Sequence, residues 1–232
     1  MLLAVSGLAN SGKDTVADIL ARYDLVKVAL ADPLKRIARD VYDFTDEQLW
    51  GPSFKRNEPD KRYPRPHGHW VNNKCVCCGI PNEEDILHVQ CYLTPRYSLQ
   101  TLGTEWGRDC YPDTWVDYAI RIYNKLQAGD CYYDFREGLR WTSSVEGVMT
   151  PKKSVIISDT RFKNELRLIQ AAGGKAIRIK RPGVDAPAWQ HRSETEQMEI
   201  PDDEFDYILD NDGDLNDLEG EVQELRRWIS GE

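Results

Sequence analysis

No apolar stretch in these 232 residues approaches the roughly 20 needed to cross a bilayer as a helix, and the first residues lack the basic flank of a signal peptide. Basic charge is in short supply: 30 Lys and Arg stand against 39 Asp and Glu, a formal net charge of -9. That balance argues against nucleic acid or an anionic membrane as partner. It still admits a small phosphorylated ligand, which needs only a local basic pocket. Internal repeats and low-complexity tracts are absent. Cysteine is scarce outside one place, since four of the six fall between positions 75 and 91. In a cytosolic chain that clustering suggests metal before disulfide. What remains is the composition of a soluble protein, expected in the cytoplasm, with enough core for a single domain over residues 1–232.

The informative stretch is Leu2 to Thr15, LLAVSGLANSGKDT. Leu2, Leu3, Ala4 and Val5 form a short apolar run, as in a strand buried on both faces. Gly7, Gly12 and Lys13 then fit the phosphate-loop pattern G-x-x-x-x-G-K, and Val16, Ile19 and Leu20 continue at helical spacing. Glycines let successive backbone N–H groups turn inward around phosphate oxygens, and the helix N-terminus behind them adds favourable dipole charge. Lys13 would reach the β- and γ-phosphates of a nucleotide. Asp14 occupies the usual Ser/Thr position and Thr15 follows, so the hydroxyl that touches magnesium is displaced, or replaced by a carboxylate acting through water.

Further along, Leu25 to Leu30 reads as a second strand. Asp32 caps a helix with Pro33 in its first turn and Leu34, Ile37, Ala38 and Val41 on its inner face. Residues 51–74 read as irregular. Thr94-Pro95 opens a helix carrying Leu99, Leu102 and Trp106, and Trp115, Ala119, Ile122 and Leu126 mark the next; both tryptophans are expected in the core. Residues 129–153 suggest a β-hairpin insertion. Ser154 to Ser158 is a buried strand ending in Asp159, the placement expected of an acid that holds magnesium at the carboxyl end of a parallel sheet, with Arg161 at the same rim. A helix through Leu166, Ile169 and Ala172 stops at Gly173-Gly174. Lys175 to Lys180 is a strand, 181–204 a polar loop or lid, Tyr207 to Leu209 a last strand, and Leu215 to Ile229 a closing helix. Strands alternating with helices imply an α/β fold, a parallel sheet covered on both faces.

Taken in order, GLANSGKDT (7–15), ADPLK (31–35), LQTLGTEWGRD (99–109), VIISDTRFKNE (155–165), HRSE (191–194) and DYILDNDGDLNDL (206–218) resemble the bacteriophage deoxynucleoside monophosphate kinases, within the P-loop nucleoside monophosphate kinase group. The GKDT form is similar there, Asp14 included. The resemblance implies a three-layer α/β/α P-loop kinase around a central parallel sheet. It implies transfer of the γ-phosphoryl group of ATP to a deoxynucleoside 5′-monophosphate, in the host cytoplasm if the chain is of phage origin. Gly7, Asn10, Ser11, Gly12 and Lys13 would hold the donor phosphates, with Asp14, Thr15 and Asp159 around magnesium. Arg108 and Arg161 would grip the acceptor phosphate, beside Asp32 and Lys35. Arg181 and Arg192 would close over the transferring group, and Asn211 and Gly213 would lie near the adenine. A homodimer is left open, as is the choice of base.

The stretches 57–93 and 129–153 have no counterpart in that resemblance. Within the first, Cys75, Cys78, His88 and Cys91 give C-x-x-C-(x9)-H-x-x-C, a closed set suited to structural zinc. Cys77 is an equally available donor in place of Cys75, and His67 or His69 in place of His88. Two other functions compete: another small-molecule P-loop kinase, of the dephospho-coenzyme A or phosphomevalonate type, and a nucleotide-dependent nucleic-acid-binding protein. The second would use the basic, aromatic insertion around Lys55, Arg62 and Trp70, against an acidic whole chain.

Overall fold

A computed structural model describes residues 1–23, 25–65, 70–71, 74–75, 91–129, 132–134, 138–140, 154–184 and 192–231. They form two compact units, one of Met1–Leu30 with Asp113–Glu232 and one of Ala31–Pro112. The first unit opens with β1 (Leu2–Ser6), α1 (Lys13–Ala21) and β2 (Leu25–Val28). The second carries α2 (Asp32–Tyr42), α3 (Asp46–Trp50), α4 (Ser53–Arg56), β3 (Asp60–Arg65), β4 (Trp70–Val71), β5 (Lys74–Cys75), β6 (Cys91–Leu93) and α5 (Pro95–Thr101), which runs on as a π-helix over Leu102–Arg108. The chain then re-enters the first unit with α6 (Thr114–Ala128), β7 (Tyr132–Asp134), β8 (Gly138–Arg140), β9 (Ser154–Thr160), α7 (Lys163–Ala171), β10 (Lys175–Lys180), α8 (Arg192–Glu199), a 3-10 turn at Asp202–Glu204, β11 (Tyr207–Asp210) and α9 (Leu215–Ser230).

Five strands make one all-parallel sheet in the order β11-β10-β1-β9-β2. Parallel neighbours need crossover connections, and helices supply them on both faces. Leu3 and Val5 of β1 and Ile177 and Ile179 of β10 pack with Val16 and Leu20 of α1 and Val222 and Leu225 of α9. Side chains alternate across a strand, so Ala176 faces the other way, where it packs with Leu166 of α7, Ile200 and Phe205. This is the expected three-layer α/β/α arrangement. β1 is central and buried at every position, which is why its sequence is an unbroken apolar run.

The second unit has its own small core of Ala38, Phe44 and Leu49, with Tyr42, Trp50, Tyr63, Leu93 and Leu99 against it. Tyr42, Phe44 and Tyr63 form a ring cluster with centroids 5.3–5.9 Å apart. Two expectations are corrected here. Residues 51–74 are not simply irregular: α4 and β3 lie within them, and β3 pairs antiparallel with β6. The register slips between Asp60 and Pro64, because proline has no N–H to give the ladder. And Val41 is 66% exposed rather than on the inner face of α2. The hairpin of β7 and β8 pairs Tyr132 with Arg140, while 141–153 lie outside the described residues.

Asp60 anchors β3. Its buried carboxylate accepts from Gln48 Nε2 at 3.0 Å and from Arg62 Nη2 at 2.8 Å, and Arg62 also reaches Asp43 at 3.1 Å. The Arg62 guanidinium holds the Asp60 carboxyl well below the usual carboxylate range. A depressed folded-state pKa contributes stability that is complete above about pH 4 and is lost as the pH falls from there toward the folded value. Asp60→Asn is therefore expected to cost about 1–2 kcal/mol at neutral pH and progressively less in acid. Urea titrations across that range check it; a cost independent of pH would be the contrary result.

Candidate active site

Between β1 and α1 the backbone turns through Gly7–Gly12. Asn10 (φ 67°) and Gly12 (φ 95°) adopt left-handed conformations, and Ser11 N–H closes the turn onto Leu8 O at 3.1 Å. Glycine is required at two points. A Cβ on Gly7 would sit 2.8 Å from the Ile179 carbonyl oxygen, and one on Gly12 would run into the Asn211 carboxamide. Among the described residues no side chain caps the first turn of α1, which starts at Lys13, and a helix start of that kind suits an anion. Lys13 is only 6% exposed and its ammonium lies over the loop, 3.4 Å from Leu8 O. Asp14 is exposed and Thr15 half-buried at the same helix start.

β9 ends beside the loop. Ala4 is opposite Ile157 but Ser6 is opposite Thr160, so β9 carries one extra residue in the span that contains Asp159. Such a bulge bends the strand and re-aims a side chain. The Asp159 carboxylate accepts from Leu30 N–H at 2.7 Å, where β2 has just ended. Arg161 follows; its N–H and that of Phe162 donate to the buried Glu165 carboxylate at 2.9 and 3.1 Å, which caps α7. On the other flank Asn211 is buried, donating through Nδ2 to Ser11 O at 2.8 Å and through its backbone to Lys180 O at 2.7 Å. Its carboxamide is thus engaged with the loop backbone. Gly213 permits the close approach of Asp217 in the capping turn of α9.

A cavity of about 440 Å³ opens against Gly7, Leu8 and Ser11, walled by Lys180, Arg181 and Gln197 among others. Its size suits a small organic ligand. Two of the nearby cations are already engaged: Arg178 meets Asp202 at 2.6 Å and Lys180 bonds the same carboxylate, and together, Lys180 foremost, they pull the Asp202 pKa down. Arg181 is exposed at the cavity wall. Arg192 begins α8, within the stretch read as a polar loop; Gln197 and Ile200 are buried there. The Arg192 side chain is outside the described part. Gln197 and Asp202 were not legible as site-building residues, because their partners are distant in sequence and no local pattern marks them.

Three expected site residues belong to the second unit. Lys35 pairs with Asp32 at 3.6 Å and lies 5.2 Å from the centre of the Trp50 ring. Arg108 is 8% exposed at the end of the π-helix. Trp115 is buried as expected, but Trp106 is 55% exposed. A π-helix bonds i to i+5 and turns less per residue than an α-helix, so the inner face drawn at α-helical spacing does not hold there. Of the proposed zinc ligands, Cys91 is buried on β6 and Cys75 is on β5. Cys78 and His88 lie outside the described residues, as do Cys77, His67 and His69. Among the described residues, no three His, Cys, Asp or Glu are grouped to hold a metal.

No family model matches the chain. Whole-chain relatives do. Deoxynucleotide monophosphate kinase of Escherichia phage RB69 is 22% identical, covering 97% of this chain and 99% of its own. That of Enterobacteria phage T4 is 23% identical over 96% and 97%. A protein of Acanthamoeba polyphaga mimivirus, provisionally given the same name, is 28% identical over 96% and 94%. The chain is a relative of the viral deoxynucleotide monophosphate kinases. The shared region takes in most of both units, so Asp159 and the π-helix fall within it. Overlays on dephospho-CoA kinase from Campylobacter jejuni (TM-score 0.44, 14% identity, 99% of this chain and 97% of that one) and shikimate kinase from Bacteroides thetaiotaomicron (0.42, 10%, 99% and 98%) are too loose to bear on activity.

Proposed function

We propose that the protein transfers the γ-phosphoryl group of ATP to a deoxynucleoside 5′-monophosphate, giving ADP and a deoxynucleoside diphosphate. The observation that carries this is the loop itself: an uncapped helix start, two obligatory glycines and a buried lysine, with a strand-end aspartate on the adjacent strand. The whole-chain likeness to named deoxynucleotide monophosphate kinases supports the acceptor.

Phosphoryl transfer asks little covalent work of a protein and much positioning of charge. In this reading the loop of Gly7, Asn10, Ser11 and Gly12, its turn closed by the Ser11 N–H on Leu8 O, and the Lys13 ammonium hold the donor phosphates. Asp14, Thr15 and Asp159 offer hard oxygen ligands, a set that suits magnesium carried on a nucleotide, which takes only one or two carboxylates beside the phosphates. When bound there, magnesium neutralises charge on the donor phosphates. Arg108 and Arg161 bind the acceptor phosphate through planar forks, with Asp32 and Lys35 in the acceptor pocket. Arg181 and Arg192 exclude water from the transferring group. Asn211 and Gly213, which support the loop and its neighbouring helix cap, lie near the adenine. The reaction is placed in the cytoplasm, that of the host if the chain is of phage origin.

An ATP-consumption assay across all deoxy- and ribonucleoside monophosphates tests the reading. ADP formation dependent on a deoxynucleoside monophosphate is the expected result. Turnover with dephospho-coenzyme A or phosphomevalonate and no monophosphate would transfer the protein to another class of small-molecule kinase. The insertion is read as a structural zinc knuckle through Cys75, Cys78, His88 and Cys91. Metal analysis should find about one zinc per chain, lost in the double variant Cys78→Ser, Cys91→Ser with kinase activity partly kept; protein purified without chelators and free of zinc would remove that assignment.

A further inference from the structure

α8 is written in polar residues, RSETEQME, yet Gln197 within it is 2% exposed. Its Nε2 lies 2.8 Å from Ser6 Oγ, 3.0 Å from Gly7 O and, at the limit, 3.5 Å from Thr160 O. The carbonyls can only accept, so the nitrogen end of the carboxamide must face them. These three acceptors are the last residue of β1, the first residue of the phosphate loop, and the residue after Asp159. They flank the point where β9 holds its extra residue against β1. Where the ladder slips, a side-chain amide supplies donors in place of the backbone.

The cost of keeping glutamine there points the same way. Gln197 Oε1 is buried with no hydrogen-bond partner among the described residues, a state that destabilises. A residue serving only to fill that space would be apolar. Fixing Gly7 O also fixes the peptide plane of Gly7 and Leu8, and with it the direction of the Leu8 N–H at the loop's entry. Arg192 is five residues earlier on the same helix, about 7.5 Å along its axis. One carboxamide therefore sets the loop's first peptide, the strand end next to Asp159, and the docking of the helix that starts with Arg192.

We propose that Gln197 is a positioning residue for phosphoryl transfer, acting through the phosphate loop and the end of β9; this rests on the kinase reading above. Gln197→Met keeps the shape and removes the donors, and Gln197→Glu keeps the size and presents a carboxylate to carbonyl oxygens. For each, ATP binding is measured directly by calorimetry, kcat and both KM values by coupled assay, and folding by thermal melt. Both variants are expected to bind ATP about 10-fold more weakly and to lose about 10- to 100-fold in kcat, with KM for the deoxynucleoside monophosphate within about twofold. A merely structural role would lower the melting temperature and the active fraction and leave ATP affinity of the folded protein unchanged. Either that outcome, or a Gln197→Met protein within about threefold of wild type in ATP affinity and kcat, overturns the proposal. Should one variant not fold, the other decides. Wild-type protein that binds no ATP at all would bring down the kinase reading as well, and the same calorimetry separates that case.

Discussion

Replacing Lys13 with alanine is expected to lower kcat by about 10²–10³-fold while leaving the melting temperature nearly unmoved. The two halves of that expectation have separate causes. Lys13 is the first residue of α1, and a cation at a helix N-terminus opposes the macrodipole, so removing it relieves a repulsion. Alanine is also the better helix former. The contact of the ammonium with Leu8 O, at 3.4 Å, is a long bond whose loss costs little. In the reaction the same ammonium faces the phosphates whose charge shifts as the γ-phosphoryl leaves. A charge-assisted contact in a water-poor loop is then worth about 2.7–4 kcal/mol of barrier. Steady-state kinetics beside a thermal melt read both quantities. Turnover near wild type would remove the phosphate-loop reading, however well the loop's backbone fits it.

What the sequence disclosed depended on how local the cause was. β1 and β9 are buried on both faces, so apolar runs marked them without reference to their neighbours, and β10 was marked by the alternation of KAIRIK. The helix with Trp115, Ala119, Ile122 and Leu126 buried kept strict α-helical spacing and was equally plain. β3 was not, because what holds it is Asp60 bonded to Gln48 and Arg62 and Tyr63 packed on Phe44, none of which makes a period. α8 was hidden for the related reason that its buried residue is a glutamine. Trp106 failed through the geometry of the π-helix, which no propensity encodes. In the site the same division holds. The glycines, Lys13 and Asp159 announce themselves by motif and by strand-end placement. Asn211 was singled out for its turn, yet its carboxamide grips Ser11 O across 200 positions of sequence, and Gln197 reaches Gly7 O across 190. Contacts of that separation are written in the fold.

Asp159→Asn is expected to reduce kcat by about 10²–10³-fold with the fold intact, and it isolates charge from structure more cleanly than alanine would. The Asp159 carboxylate accepts Leu30 N–H at 2.7 Å. An asparagine carbonyl oxygen can accept the same bond, so the link between β9 and Leu30 survives. The bulge that directs the side chain is a property of the backbone register, Ser6 opposite Thr160, and does not depend on the charge. What asparagine removes is the negative charge at the strand end beside the phosphate loop. If that charge helps to hold magnesium on the donor phosphates, the variant should need more magnesium to reach its own maximal rate, and the maximal rate should stay low even at saturation. Alanine at the same position would lose the Leu30 bond too, so its melting temperature should fall where that of the asparagine variant does not. Kinetics over a magnesium titration, with melts of both variants, distinguish the roles. An asparagine variant with wild-type rate and wild-type magnesium demand would leave Asp159 a strand-end anchor for Leu30 and nothing more.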